Sequence, residues 1–82
     1  MSSIDLVLPD LGIDDQPITV SLWLVKRGGR VAEGEQILEI LSGSVTVDLP
    51  APVDGVLVKK LVEEGDAIEV GQRLGIIESR AD

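Results

Sequence analysis

The chain has 82 residues, 44% of them hydrophobic, with one Trp as its single aromatic, no Cys and no His. A chain this short can bury one small core, so one domain over residues 1–82 is expected. The missing Cys and His exclude disulfides, thiolate nucleophiles, imidazole bases and ordinary zinc sites. The net charge of −8 lacks the basic footprint that nucleic acid or an anionic membrane requires. Neither is expected as a partner; a protein with a basic surface is, although such a charge also serves solubility.

The opening "MSSIDLVLPD" has no basic region followed by an apolar run, and no later stretch approaches the roughly 20 apolar residues of a membrane span. A soluble, cytoplasmic protein is expected. Eleven Val and eight Ile favour strands over helices, because branching at Cβ suits a pleated, half-buried surface. Alternation at Ile4, Leu6 and Leu8 predicts a first strand. The loop "DLGIDDQP" follows, and then Ile18, Val20, Leu22 and Leu24 alternate as the core-facing side of a second strand. On that reading Trp23 points to the opposite face, partly exposed, where packing and partner contact are both open to it.

Further strands are predicted at "ILEIL" (37–41), "VTVDL" (45–49), "GVLVKKLV" (55–62) and "RLGIIE" (73–78), separated by turn-forming Gly, Pro and acidic clusters. Nothing reads as a helix. The fold class is all-β, a sandwich or flattened barrel. Between 37–41 and 45–49 lies "SGS" (42–44), in which Gly43-Ser44 is a two-residue hairpin signal with glycine supplying a positive φ at the first central position.

Residue n matches residue n+37 without a gap from Ser21 on Val58 to Leu41 on Glu78. Gly28 falls on Gly65, Gly34 on Gly71, Leu24 on Leu61, Val25 on Val62 and Ile40 on Ile77. The unit is strand, turn, short strand, turn, strand. Two copies predict a quasi-symmetric domain, since stacked arrays need three or more repeats.

Few residues offer chemistry. Ser44 has no His to serve as its base, and the setting of a phosphopantetheine-bearing serine is a helical bundle. Asp14 and Asp15 lie in a loop without a pocket signal. "PAPVDG" (50–55) is a turn set by Pro50, Pro52 and Gly55. "KRGGR" (26–30) is too small for a nucleic-acid footprint. No catalytic, metal-binding or cofactor-binding residue is expected, and the chain is not read as an enzyme.

"LPDLG" (8–12), "VSLWLVKRGG" (20–29), "VAEGEQILEI" (31–40), "TVDLPAPVDGVL" (46–57) and "EEGDAIEVGQRLGII" (63–77) together resemble the biotinyl and lipoyl attachment domains, most of all the lipoyl domains of 2-oxoacid dehydrogenase acyltransferases. The resemblance implies a flattened barrel of two four-stranded sheets related by a pseudo-twofold. It also implies a swinging cofactor, lipoate or biotin, amide-linked to a lysine at an exposed hairpin. Counting from Gly34 forward and from Pro50 backward places that lysine at Ser44 and the family's preceding Asp at Gly43. The three lysines present stand elsewhere: Lys26 near a Gly turn, Lys59 and Lys60 within a predicted strand.

No cofactor is therefore expected. Two functions remain open: an unmodified interaction module of a 2-oxoacid-dehydrogenase-type or related acyl-transfer system, or a swinging-arm carrier whose acceptor lysine was replaced. A piece of a longer acyltransferase, or a purely structural subunit, is a third. The resemblance places partner recognition on Ile13, Asp14, Asp15 and Gln16 together with Ser42, Gly43 and Ser44, against a dehydrogenase-complex enzyme with a basic surface. The family's usual Glu and Gly are replaced at Ile13 and Asp14.

Overall fold

The computed structural model describes residues 2–12 and 17–79. Within them run β1 (Ser3–Val7), β2 (Ile18–Trp23), β3 (Arg30–Val31), β4 (Gln36–Ser42), β5 (Val45–Pro50), β6 (Gly55–Lys60), β7 (Ala67–Ile68) and β8 (Arg73–Ser79). They form two four-stranded antiparallel sheets, ordered β1-β8-β6-β3 and β5-β4-β2-β7. The all-β sandwich expected from the alternation and the repeat is what the chain forms. No helix among the described residues is long and apolar enough to cross a membrane.

The offset of 37 residues exchanges the sheets: β2 maps on β6, β3 on β7 and β4 on β8. Backbone hydrogen bonds follow the exchange reciprocally. Gly28 N–H donates to Leu57 O at 2.7 Å, and Gly65 N–H to Val20 O at 2.8 Å; Leu57 N–H donates to Gly29 O at 3.0 Å, and Val20 N–H to Asp66 O at 2.9 Å. Each copy's Gly turn is thus tied to the other copy's long strand, which satisfies buried backbone groups at the crossing and locks the halves together. Gly28 and Gly65 have φ of 87° and 93°, a left-handed conformation in which a Cβ would be strained. The side chains that brace the next turn also correspond: Ala32 N–H donates to Glu35 Oε1 and Glu69 N–H to Gln72 Oε1, both at 2.9 Å.

The sheets enclose a core built mainly of Leu, Ile and Val, in which Leu8, Ile37, Leu38, Ile40, Leu57, Leu74 and Ile77 are fully buried. One expectation fails here. Leu22 and Leu24 do not face the core but are 45% and 43% exposed, while Trp23 is buried at 9%. The cause is a β-bulge: Val20 pairs with Ile40 and Leu22 with the next residue, Glu39, leaving Ser21 as the extra residue. One inserted residue reverses the facing of everything beyond it. Its repeat mate Val58 is the extra residue of a second bulge, between Leu57 and Lys59 on β6.

Candidate functional site

β4 and β5 form a hairpin whose last ladder pair is Ser42 with Val45, so the connection is the two-residue loop Gly43-Ser44. Gly43 has φ of 60°, the positive φ that right-twisted hairpins require at the first loop position. The register is set by the core: Ile40 opposite Val47 and Leu38 opposite Leu49 face inward, and a slip of one residue would turn them all to solvent. Gly43 and Ser44 are exposed at the tip.

Beneath the tip, Ser42 is 3% exposed and its Oγ has no hydrogen-bond partner. Across the sheet the end row reads Val45, Ser42, Ile18, Ile68. Val45 is 55% exposed and Ile18 buried. A shallow groove lined by Pro17, Ile18, Ala67, Ile68, Glu69 and Val70 continues this end. Of the residues expected to meet a partner, Ser42, Gly43 and Ser44 thus gather at one end of the sheet, whereas Ile13, Asp14, Asp15 and Gln16 lie outside the described residues.

The offset that carries Ser42 onto Ser79 carries the hairpin end onto the place where Ser79 N–H donates to Ser2 O at 2.7 Å. The tip and the Ser2–Ser79 contact are therefore related by the pseudo-twofold, one in each sheet. The lysines are remote from the tip in the chain. Lys26 accepts the Gly29 N–H at 2.9 Å through its carbonyl in a tight turn, and Lys59 and Lys60 end β6. Lys60 also lies over Trp23, its Nζ 5.1 Å from the ring centroid.

Among the described residues, no three His, Cys, Asp or Glu side chains group closely enough to hold a metal ion. The one ion pair among them, Arg73 with Asp5 at 3.9 Å, is exposed on both sides and contributes little to stability. The site is an exposed hairpin end with a hydroxyl at its tip.

Two four-stranded sheets exchanged by a twofold, with a two-residue hairpin displayed at one end, define the barrel-sandwich class of carrier folds. The family model described as "Biotin-requiring enzyme" matches residues 4–77. The succinyltransferase component of the 2-oxoglutarate dehydrogenase complex of Bartonella vinsonii is 38% identical over 77 residues, 94% of this chain and 19% of that protein. The same component of Escherichia coli K12 is 37% identical over 75 residues, 92% of this chain and 18% of that protein. Among solved structures, the lipoyl domain of the 2-oxoglutarate dehydrogenase complex from Azotobacter vinelandii superposes with a TM-score of 0.73 at 31% identity, covering 93% of this chain and 98% of that one. The chain belongs to the biotinyl/lipoyl attachment domain family, as a lipoyl domain of the 2-oxoacid dehydrogenase acyltransferase type. It spans about a fifth of the length of these curated relatives.

Proposed function

We propose that this chain is a lipoyl-type domain that carries no cofactor and works as a protein-interaction module of a 2-oxoacid dehydrogenase or related acyl-transfer system. The observation that supports this is the hairpin itself: a two-residue loop in clean register whose exposed tip is Gly43-Ser44. Lipoate and biotin are attached as amides, and an amide requires an amine. A hydroxyl offers only an ester, which hydrolyses more readily. A well-formed hairpin end without an amine is suited to recognition. Partner contact runs through Gly43, Ser44 and the 13–17 loop, and an acidic domain is steered toward a basic enzyme surface by long-range attraction.

The intact mass of the chain, made in a host supplied with lipoate, biotin and both ligases, tests this reading. An unshifted mass is expected. A lipoyl or biotinyl increment mapped to Lys26, Lys59 or Lys60 would overturn it and make the chain a working carrier.

A further inference from the structure

The two outer faces of the sandwich are related by the repeat yet differ in charge. On the β5-β4-β2-β7 sheet, Glu39 pairs directly with Asp48 on one side and with Leu22 on the other. The next outward row is Thr46, Leu41, Thr19, Ala67. These rows face out because the rows between and beside them, through Leu38 and Ile40, fill the core. The offset of 37 relates Glu39 and Leu22 to Ile76 and Lys59, and Leu41, Thr19 and Ala67 to Glu78, Val56 and Arg30; on the other sheet the ladder places Asp5 opposite Ile76 and Ser3 opposite Glu78.

The second sheet therefore balances each acid with a base, and Asp5 has Arg73 beside it as well. The first sheet carries two carboxylates and no Lys or Arg in any of its four strands. No ion pair among the described residues reaches Glu39 or Asp48. Like charges directly opposite each other across a ladder cost stability, and the repeat-related sheet shows that the fold does not require them. Glu39 is also held in place, because Ser21, the bulge residue, donates from its Oγ to Glu39 Oε2 at 2.8 Å. At the end of the same row Leu22 is 45% exposed, and Leu41 is half-buried in the next.

We propose that the outer face of the β5-β4-β2-β7 sheet is a docking surface for a protein partner presenting an apolar contact bordered by Lys or Arg side chains. Leu22 and Leu41 enter that contact, and Glu39 and Asp48 meet the cations. A second copy of the chain fits poorly, because it would bring two molecules of charge −8 together through acidic faces. Opposite charge across the contact supplies both the encounter rate and the register. The assignment rests on the interaction-module reading and extends it from the hairpin tip to the sheet behind it.

The probe is the 2-oxoglutarate dehydrogenase complex purified from Escherichia coli, titrated into the 15N-labelled chain. Line broadening is expected at Leu22, Glu39, Leu41 and Asp48. The double reversal Glu39→Lys with Asp48→Lys, which preserves the like-charge pairing and gives up only the part-buried Ser21 hydrogen bond, is expected to weaken binding at least tenfold. Glu78→Lys on the opposite sheet is expected to change it less than twofold, and added salt to weaken the unaltered chain. If the double reversal leaves the affinity within twofold while Ser44→Trp abolishes it, the docking face is wrong and the interaction-module reading stands. Absence of binding overturns both. Concentration-dependent self-association broadening the same residues would replace the partner by a second copy and overturn the proposal.

Discussion

Lys60 Nζ lies 5.1 Å from the centroid of the Trp23 ring, and the two residues hold the same position in the two copies of the repeat. The Trp23 indole N–H donates to Val62 O at 3.0 Å and its backbone N–H to Glu64 Oε2 at 3.2 Å. Beside its ladder pairing with Leu38, Trp23 thus takes these three polar contacts from the second copy and acts as a bolt between the halves. Trp23→Ala is expected to cost about 3–5 kcal/mol, the range for large aromatic truncations in cores. Trp23→Phe, which keeps a ring but loses the indole donor and leaves the Val62 carbonyl unsatisfied, is expected to cost about 1–3 kcal/mol. Urea denaturation followed by circular dichroism separates the two.

Two glycines distinguish steric crowding from backbone strain. A Cβ on Gly55 would press into the backbone carbonyl oxygen of Glu78 and come within 2.9 Å of Ile77 Cγ2. Gly55 pairs with Val31 and Ser79, so β6 cannot yield without opening its ladders on both sides. Gly55→Ala is expected to cost about 3 kcal/mol, the upper end of what overpacking costs. Gly34 has a φ of 86° and open space around its Cβ position, so Gly34→Ala pays only the left-handed conformation, about 1–2 kcal/mol. Equal losses in the two variants, measured by chemical denaturation, would contradict this separation.

The elements that sequence reasoning located well are those fixed by local chemistry or by the repeat. Gly43-Ser44 between two alternating runs specifies a two-residue hairpin whatever surrounds it, and matching turn glycines place the two-residue strands β3 and β7 that periodicity alone cannot see. Strict alternation puts Trp23 and Leu22 on the wrong faces, because a period of two has no place for an extra residue. A signal was available: Leu57 followed by Lys59 and Lys60, laid on Val20, Leu22 and Trp23, is incompatible with strict alternation inward at both copies. Nor could the chain show in one dimension that Glu39 faces Asp48. That pairing depends on a ladder register, and the register is set by the inward residues on either side.

Ser42 offers a test of the hairpin's interior. Its Oγ is buried without a partner, so the hydroxyl pays desolvation and receives nothing in return. Ser42→Ala is expected to leave stability unchanged or raise it by up to about 1 kcal/mol, contrary to the usual cost of a buried truncation. A loss above that size in thermal or urea unfolding would mean that the hydroxyl is bonded in solution.

The family resemblance implies an Asp-Lys pair at positions 43 and 44, and placing that pair there tests whether this hairpin can act as an acceptor. Gly43→Asp with Ser44→Lys places a carboxylate and an amine in a loop whose flanking pair, Ser42 with Val45, is undisturbed. The double variant is expected to gain a lipoyl group when produced with lipoate and its ligase, seen as an increase in intact mass at residue 44, whereas Ser44→Lys alone gains less. An unmodified double variant would mean that the surrounding surface lacks what the ligase recognises.

The direct opposition of Glu39 and Asp48 makes a further prediction that needs no partner. Asp48→Lys converts a like-charge cross-strand pair into an opposite one, and cross-strand pairs of this kind are worth roughly 0.2–1 kcal/mol. The variant is expected to be more stable than the unaltered chain by about that amount. The gain should shrink as salt is added, because both side chains reach solvent and salt screens them. The same substitution at the corresponding ladder position of the other sheet, Asp5→Lys, is expected to act in the other direction, since it removes the partner of Arg73 and sets a third cation near Lys59. Opposite signs for the two changes, read from urea midpoints at low and high salt, would establish that one face of the sandwich holds unfavourable charge that its twin does not. That stability cost is what a docking face would be expected to carry when nothing is bound to it.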